Sequence, residues 1–334
     1  MLSLDELEFT GSELNRPECV LATRSGHLYT ADARGGVAVI YPDGRSRLLA
    51  HRTESPWLLP NGIALMPDGT FLLTHLGNVS GGVFQLDGHG ELTPFLEEVD
   101  GVELPPTNFV GRDHAGGIWI TVSTRHHPRH QAARAGVADG FIVRVDERGA
   151  RIAAEGLGYT NECIVDSTRK YLYVNETFAR RVSRFRLDKN GTLSGQETVT
   201  EFGPADFPDG LTFDSAGDLW VTCIISNRLI RVAPDGSQQV FLEDCDHENM
   251  AIVEDRYQAG CLQGTDFDRV QPKVLRNISS LAFGGPDLRT AWLGCLRGTS
   301  LATFRSPSAG LIPAHFDVVP TWLDRLATNP SGQS

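Results

Sequence analysis

The feature that most constrains the fold of this chain is a sixfold internal repeat. Each repeat opens on an oxygen-bearing side chain, continues as a short apolar strand, turns on Gly or Pro-Asp-Gly, and enters a second apolar strand. The opening residues are Glu18, Asn61, Asn108, Asn161, Asp209 and Ser279, spaced 43 to 53 residues apart except for a last interval of 70. Repeats of about 40–50 residues are typical of β-propeller blades.

A third apolar strand and a polar fourth strand follow in most repeats, as in the Gly36–Tyr41 and Gly140–Val145 segments. Turns such as Asp43-Gly44 and Asn190-Gly191 are expected hairpin signals. Four strands make one propeller blade. We therefore predict an all-β fold, a six-bladed β-propeller with four-stranded antiparallel blades around a central channel. It would form a single domain over residues 1–334, although length alone suggests about two domains.

The irregular spacing predicts two insertions, at about residues 125–139 and 246–277. We expect residues 1–10 to supply a strand that closes the ring with the last blade, and residues 328–334 to form a frayed tail.

Composition excludes several classes of function. The chain has 42 acidic and 30 basic residues, a net charge of −12, which argues against nucleic acid and anionic membranes as partners. No apolar run approaches the ~20 residues of a membrane helix, and no signal-peptide pattern opens the chain, so we expect a cytoplasmic protein. Phosphate-binding loops, serine nucleophile elbows and the HExxH motif are missing, which excludes NTPases, α/β-hydrolases and zincins. The sequence leaves the oligomeric state open.

The opening residues of the repeats predict a metal site. The first strand of each blade lines the channel, so its entry residue points at the axis. Five of the six openers carry a carboxylate or amide oxygen, and hard cations bind oxygen ligands. We predict one divalent ion, with Ca²⁺ favoured and Mn²⁺, Mg²⁺ or Zn²⁺ as alternatives. The competing interpretation is that channel entries are simply wet and polar.

Three segments carry a family resemblance: Phe207–Asp214 with its Asp-Leu-Trp-Val continuation, Thr160-Asn161-Glu162, and Pro17-Glu18-Cys19. Here the sequence resembles the senescence marker protein/gluconolactonase, or regucalcin-like, family of six-bladed propellers with one channel metal. The resemblance implies that Glu18, Asn161 and Asp209 are metal ligands. It also implies that Asn108 completes the metal shell or holds substrate.

The chain departs from the sugar-lactone members at three places. Those members have an acidic residue on the loop after the second strand of blade three, where this chain has Ser123–His130. Pro106–Phe109 lacks the Arg and Asp that accompany the blade-three Asn in those members, and Glu162 stands where Gly is commoner. We therefore expect a substrate less sugar-like than gluconolactone.

The resulting hypothesis is a divalent-metal-dependent hydrolase of a small-molecule lactone or related ester. The ion would polarise the carbonyl and activate water. Asp209 would act as base or nucleophile, or only as a ligand, and Asn108 and Asn61 would contact the substrate. Asn61 has channel lining as its alternative role. Two alternatives are a hydrolase of phosphotriester-like substrates and a non-enzymatic propeller that binds calcium or another ligand.

The Arg125–His130 segment, Arg-His-His-Pro-Arg-His, belongs to a loop expected over the channel mouth. In the functional interpretation, Arg125 binds an anionic group of the substrate or His126 acts as acid and base near neutral pH. In the alternative, the segment is a solvated basic lid with no chemical role.

Overall fold

The computed structural model describes residues 1–50 and 57–328. Six four-stranded antiparallel sheets form a ring, which confirms the predicted six-bladed β-propeller. Within blades one to five the strands follow chain order from the channel outwards. The apolar face of each sheet packs on the next blade, as where Leu72 meets Val110, Ile120 and Phe141.

Strand β1 (Glu8–Thr10) precedes the first blade. The first three blades are formed by β2–β5 (Val20–Ala22, Leu28–Asp32, Gly36–Ile40, Ser46–Ala50), β6–β9 (Pro60–Leu65, Phe71–His75, Val83–Leu86, Leu92–Leu96) and β12–β15 (Thr107–Arg112, Ile118–Val122, Gly140–Asp146, Gly149–Leu157). A hairpin of β10 (Glu98–Val99) and β11 (Val102–Glu103) lies between the second and third blades in the chain. The remaining blades are formed by β16–β19 (Thr160–Val165, Tyr171–Glu176, Arg181–Leu187, Leu193–Glu201), β20–β23 (Pro208–Phe213, Leu219–Cys223, Arg228–Val232, Gln238–Glu243) and β24–β26 (Ile278–Gly284, Thr290–Cys295, Leu301–Arg305).

The N-terminal strand closes the ring. β1 pairs antiparallel with β26, with Glu8 opposite Thr303 and Thr10 opposite Leu301, and becomes the outer strand of the sixth blade. This confirms the expected closure, and it ties the two ends of the propeller by strand pairing.

Helical segments cover the end of the channel at which the inner strands begin, here called the upper mouth. A 3₁₀ helix spans Arg129–Ala132, and two α-helices, α1 (His247–Gln258) and α2 (Gly264–Phe267), follow the fifth blade. All three lie within the segments expected to be insertions. Ala132, Phe207 and Tyr257 belong to one buried apolar cluster, so the helical segments rest on the loops of blades four and five.

A C-terminal strap, residues 306–328, crosses the opposite end, the lower mouth. Its Gly310 bridges Asp214, Phe316 accepts a bond from the Arg24 N–H, and Trp322 Nε1 donates to the Gly69 carbonyl at 2.9 Å. The strap ends in α3 (Leu323–Thr328). Of the tail expected to be frayed, only Thr328 is described, and residues 329–334 lie outside the described residues.

No helix in residues 1–50 and 57–328 is both long and apolar enough to span a membrane.

Candidate functional site

Irregular strand pairing at the upper mouth brings the repeat-opening residues together. In blades two to six the register of the inner strand shifts at the opening residue, for example between Thr107 and Phe109 around Asn108 and between Pro208 and Leu211 around Asp209. Bulges of this kind re-aim a side chain and free backbone groups from the ladder. All six opening residues are buried, with exposures of 0–4%.

The freed carbonyl groups bind the neighbouring blade. Thr74 Oγ1 of blade two donates to the Asn108 carbonyl at 2.9 Å, and Asn175 Nδ2 of blade four donates to the Asp209 carbonyl at 2.8 Å. Ser279 Oγ of blade six donates to the Glu18 carbonyl at 2.9 Å. These bonds fix the ring of opening residues by contacts between blades. Ser279, the one hydroxyl in the ring, is used for this purpose.

Two glycines follow ring residues because the next blade leaves no room for a side chain. A Cβ at Gly62 would lie 2.6 Å from Phe109 Cα, and a Cβ at Gly210 would lie 2.4 Å from the Ser279 carbonyl oxygen. The Asn-Gly and Asp-Gly pairs at positions 61–62 and 209–210 are therefore required by close approach of backbones.

Asn61 orients Glu18. Its Nδ2 donates to Glu18 Oε1 at 3.0 Å and to the Asn108 carbonyl at 2.9 Å, while its Oδ1 accepts from the Arg16 guanidinium at 2.6 Å. Since both ends of the amide are engaged by protein groups, Asn61 serves to hold its neighbours in this structure.

Two oxygens of the ring have no donor among the described residues. Glu18 Oε2 and Asn161 Oδ1 are buried and lack a hydrogen-bond partner there, although Asn161 Nδ2 donates to Thr177 Oγ1 at 3.1 Å. A buried acceptor without a donor is costly, and a cation would satisfy both oxygens at once. Within the described residues no three His, Cys, Asp or Glu side chains converge as a metal site, so any ion here needs amide oxygens beside Glu18 and Asp209.

The carboxyl groups of the ring are electrostatically disfavoured in their charged forms. Burial raises the pKa of Glu18, and the charge of Asp209 raises it further. Burial also raises the pKa of Asp209, while Arg16 and a hydrogen bond with Asn161 oppose the rise. A bound divalent cation would offset this cost directly.

Asn108 is held from the side of the third blade. Its Nδ2 donates to Ser123 Oγ at 3.0 Å, and Ser123 in turn donates to the Thr160 carbonyl at 2.9 Å. The amide oxygen of Asn108 lies 3.3 Å from Asn61 Nδ2, on the side of Glu18.

Arg125 and His126 make their contacts within the loop and its blade. Arg125 donates to the Asp139 carbonyl, approaches Glu155 at 3.4 Å and stacks over Phe141. His126 Nδ1 lies 2.8 Å from Asp139 Oδ2. The structure thus gives both predicted substrate-binding residues protein partners, and a role for them toward substrate stays a prediction.

Two arginines of the site were not singled out by the sequence. Arg16 donates to the Pro60 carbonyl and to Asn61, and its charge acts on the pKa values of Glu18 and Asp209. Arg129, on the 3₁₀ helix of the upper mouth, acts on the same two groups. The signal that could have identified Arg16 is its place two residues before a ring carboxylate.

A cavity of about 800 Å³ lies below the ring, toward the lower mouth. Its inner-strand wall is mainly apolar, with Ile63, Leu65, Leu211 and Leu281, and the strap closes it near His315. Glu162 is its buried carboxyl. This cavity lies on the far side of the ring from the Arg129 helix.

The sequence is similar to those of a known protein family and of characterised relatives. The model of the SMP-30/gluconolactonase/LRE-like region matches residues 16–242. The chain is 31% identical over 216 residues, 64% of its length, to 6-deoxy-6-sulfogluconolactonase of Pseudomonas putida, and 27% identical over 164 residues, 47% of its length, to pentonolactonase XacC of Haloferax volcanii. It spans 62% and 45% of the lengths of these two curated relatives.

Solved structures share the fold. A gluconolactonase of Xanthomonas campestris superposes with a TM-score of 0.65 at 17% identity, covering 90% of this chain and 89% of that one. Regucalcin of Agrobacterium tumefaciens, described as a calcium-binding protein, superposes with a TM-score of 0.61 at 16% identity, covering 93% and 98%. With the family model matching more than half of its residues, the chain belongs to the SMP-30/gluconolactonase/LRE-like family.

Proposed function

We propose that this protein is a divalent-metal-dependent hydrolase that opens a lactone ring or cleaves a related ester. The observation that supports it most is the pair of buried, donorless oxygens, Glu18 Oε2 and Asn161 Oδ1, in the same ring as Asp209. Two relatives in the family are named as lactonases, which favours a lactone as the substrate.

Glu18, Asn161 and Asp209 would hold the ion, with Asn108 beside them. The donor set contains only oxygen, without His or Cys, and this favours Ca²⁺. When bound, a divalent ion polarises a carbonyl oxygen and lowers the pKa of a bound water.

Asp209 is the residue best suited to move a proton. Its carboxylate would take a proton from the water whose oxygen forms the new bond to the carbonyl carbon. It would return that proton to the ester oxygen of the lactone as the C–O bond of the lactone breaks. Asn61 and Ser123 keep Glu18 and Asn108 in place during this step.

A pH-stat assay tests the proposal. The protein, before and after treatment with a chelator, is offered a panel of lactones and linear esters, and acid release is recorded. We expect release that stops with chelator and returns on addition of Ca²⁺ or Mn²⁺. Metal binding measured by calorimetry without turnover of any panel member would contradict the proposal and favour a ligand-binding propeller.

A further inference from the structure

Two arginines of the upper site have no carboxylate partner within ion-pair distance. Among the described residues, neither Arg16 nor Arg129 lies within 4.0 Å of an acidic oxygen. Many other arginines in the described residues form ion pairs, such as Arg181 with Glu176 at 2.7 Å. A half-buried arginine with no counter-ion in contact is available to bind an anion.

Arg16 is held at the edge of the ring by its backbone and its side chain. It has a φ of +53°, directly before Pro17, a conformation that costs a non-glycine residue about 1–3 kcal/mol. Arg16 is half-buried as a residue, and its guanidinium donates to the Pro60 carbonyl at 3.3 Å and Asn61 Oδ1 at 2.6 Å. A guanidinium has five N–H groups, so these two bonds leave donors for a further acceptor.

Arg129 approaches from the opposite wall. Its Nη1 lies 3.4 Å from the Tyr159 hydroxyl, two residues before Asn161 in the ring. The helix that carries it is seated by Ala132 in the apolar cluster of the upper mouth. The charge of Arg129 acts on Glu18, Asp209 and Arg16, which places the guanidinium near all three.

The charge balance of the site then favours an anionic substrate. The carboxylates of Glu18 and Asp209 balance the two guanidinium groups, so a bound divalent ion leaves two uncompensated positive charges. Uncompensated charge in a buried site is costly. A negatively charged substituent on the substrate would offset it between the two arginines.

We propose that Arg16 and Arg129 form an anion subsite, and that the lactone opened here carries an oxyanion group such as a carboxylate, sulfonate or phosphate. This inference rests on the proposed hydrolase function. The ring residues keep their proposed roles in metal binding and proton transfer. The two arginines, which lie outside the ring, determine which substrate is preferred.

Matched substrates test the subsite. An aldonolactone is compared with lactones of the same ring whose terminal group is a carboxylate, a sulfonate or a phosphate. For Arg129→Gln we expect kcat/KM to fall about 10–100-fold for the preferred anionic lactone, the loss typical of a charge-assisted bond, and by a much smaller factor for the neutral one, which feels only the change in charge near Glu18 and Asp209. The control is Arg134→Gln, an exposed arginine of the same insertion, which should leave both unchanged.

Arg16→Gly provides the second variant, because glycine adopts the left-handed backbone conformation without strain. It should reduce selectivity for the anionic lactone in the same direction. Equal losses of kcat/KM on neutral and anionic lactones in both variants would overturn the proposal. The arginines would then act on a feature that all of these lactones share, and not on the anionic substituent. A selectivity loss in Arg125→Gln but not in Arg129→Gln would also overturn it.

Binding without turnover separates this inference from the proposed function. Isothermal titration of the metal-loaded protein with open-chain sugar acids that carry one or two anionic groups should show tighter binding of the doubly charged acid, and Arg129→Gln should remove the difference. If this preference holds while no lactone is hydrolysed, the subsite stands and the proposed function fails. Turnover without any preference between neutral and anionic ligands overturns the subsite and leaves the function intact.

Discussion

The upper and lower halves of the channel are lined by the same six inner strands but have opposite character. The upper half presents amides, carboxyl groups and two arginines, joined by bonds such as Asn61 Nδ2 to Glu18 Oε1. The lower half presents mainly apolar side chains around a cavity of about 800 Å³, closed by the strap. The channel is therefore densely polar at the ring and mainly apolar along the inner strands below it.

The bulges explain how one strand supports both halves. Above the bulge the opening residue turns into the ring, and below it regular alternation continues, as where Leu211 pairs with Val221. The ring is therefore formed by a local break in strand pairing. The hydrogen bonds lost within the sheet are replaced by bonds from side chains of the neighbouring blade.

The largest effect should come from removing one ring carboxylate. In Asp209→Asn, the loss of the proposed charged ligand and proton acceptor should lower kcat by about 10³-fold and abolish tight metal binding. The free energy of unfolding should hold or rise, because a buried carboxyl no longer has to be desolvated. Turnover is measured with a pH-stat and metal binding by calorimetry.

The matched control is Glu162→Gln, one level lower in the channel. The amide keeps an oxygen for the Leu211 N–H, which now donates to Glu162 Oε2 at 3.1 Å. Metal affinity and kcat should remain near those of the unmodified protein. Loss of metal binding in Glu162→Gln as severe as in Asp209→Asn would show that the two halves are not functionally distinct.

The sequence predicts the ring well because the repeat itself marks its members. Glu18, Asn108, Asn161 and Asp209 each open a repeat, and a sixfold fold brings equivalent positions to one axis. The repeat does not identify the two arginines, because Arg16 precedes its repeat and Arg129 lies in an insertion with no counterpart in other blades. Arg125 and Arg129 also look alike in sequence, and only packing of the 3₁₀ helix directs Arg129 toward the ring while Arg125 stacks on Phe141.

The strap was equally hidden, because residues 306–328 share no pattern with the blades. Its main anchor is Trp322, which is 9% exposed, packs near Phe71 with ring centroids 6.1 Å apart, and bonds the Gly69 carbonyl. Trp322→Ala should lower the free energy of unfolding by about 3–5 kcal/mol, the usual cost of such a cavity. Urea denaturation measures this change.

Catalysis should be insensitive to the same change, since Trp322 lies at the lower end of the propeller. The kcat of Trp322→Ala, measured below its unfolding transition, should match that of the unmodified protein. A large fall in kcat without a loss of stability would mean that the strap communicates with the ring.

The smallest effect concerns pH and again separates the halves. Burial, aided by the charge of His114 and opposed by a hydrogen bond with the backbone of Ala22, lowers the pKa of His315, in the strap, to about 4. Between the folded value and the unfolded value of about 6.5, the unfolded chain binds more protons, so stability is complete above pH 6.5 and is lost as the pH falls toward 4. The loss should reach about 3 kcal/mol at the acid end. In His315→Gln the slope of unfolding free energy against pH should flatten in this window, and an unchanged slope would assign the acid sensitivity to groups outside the strap.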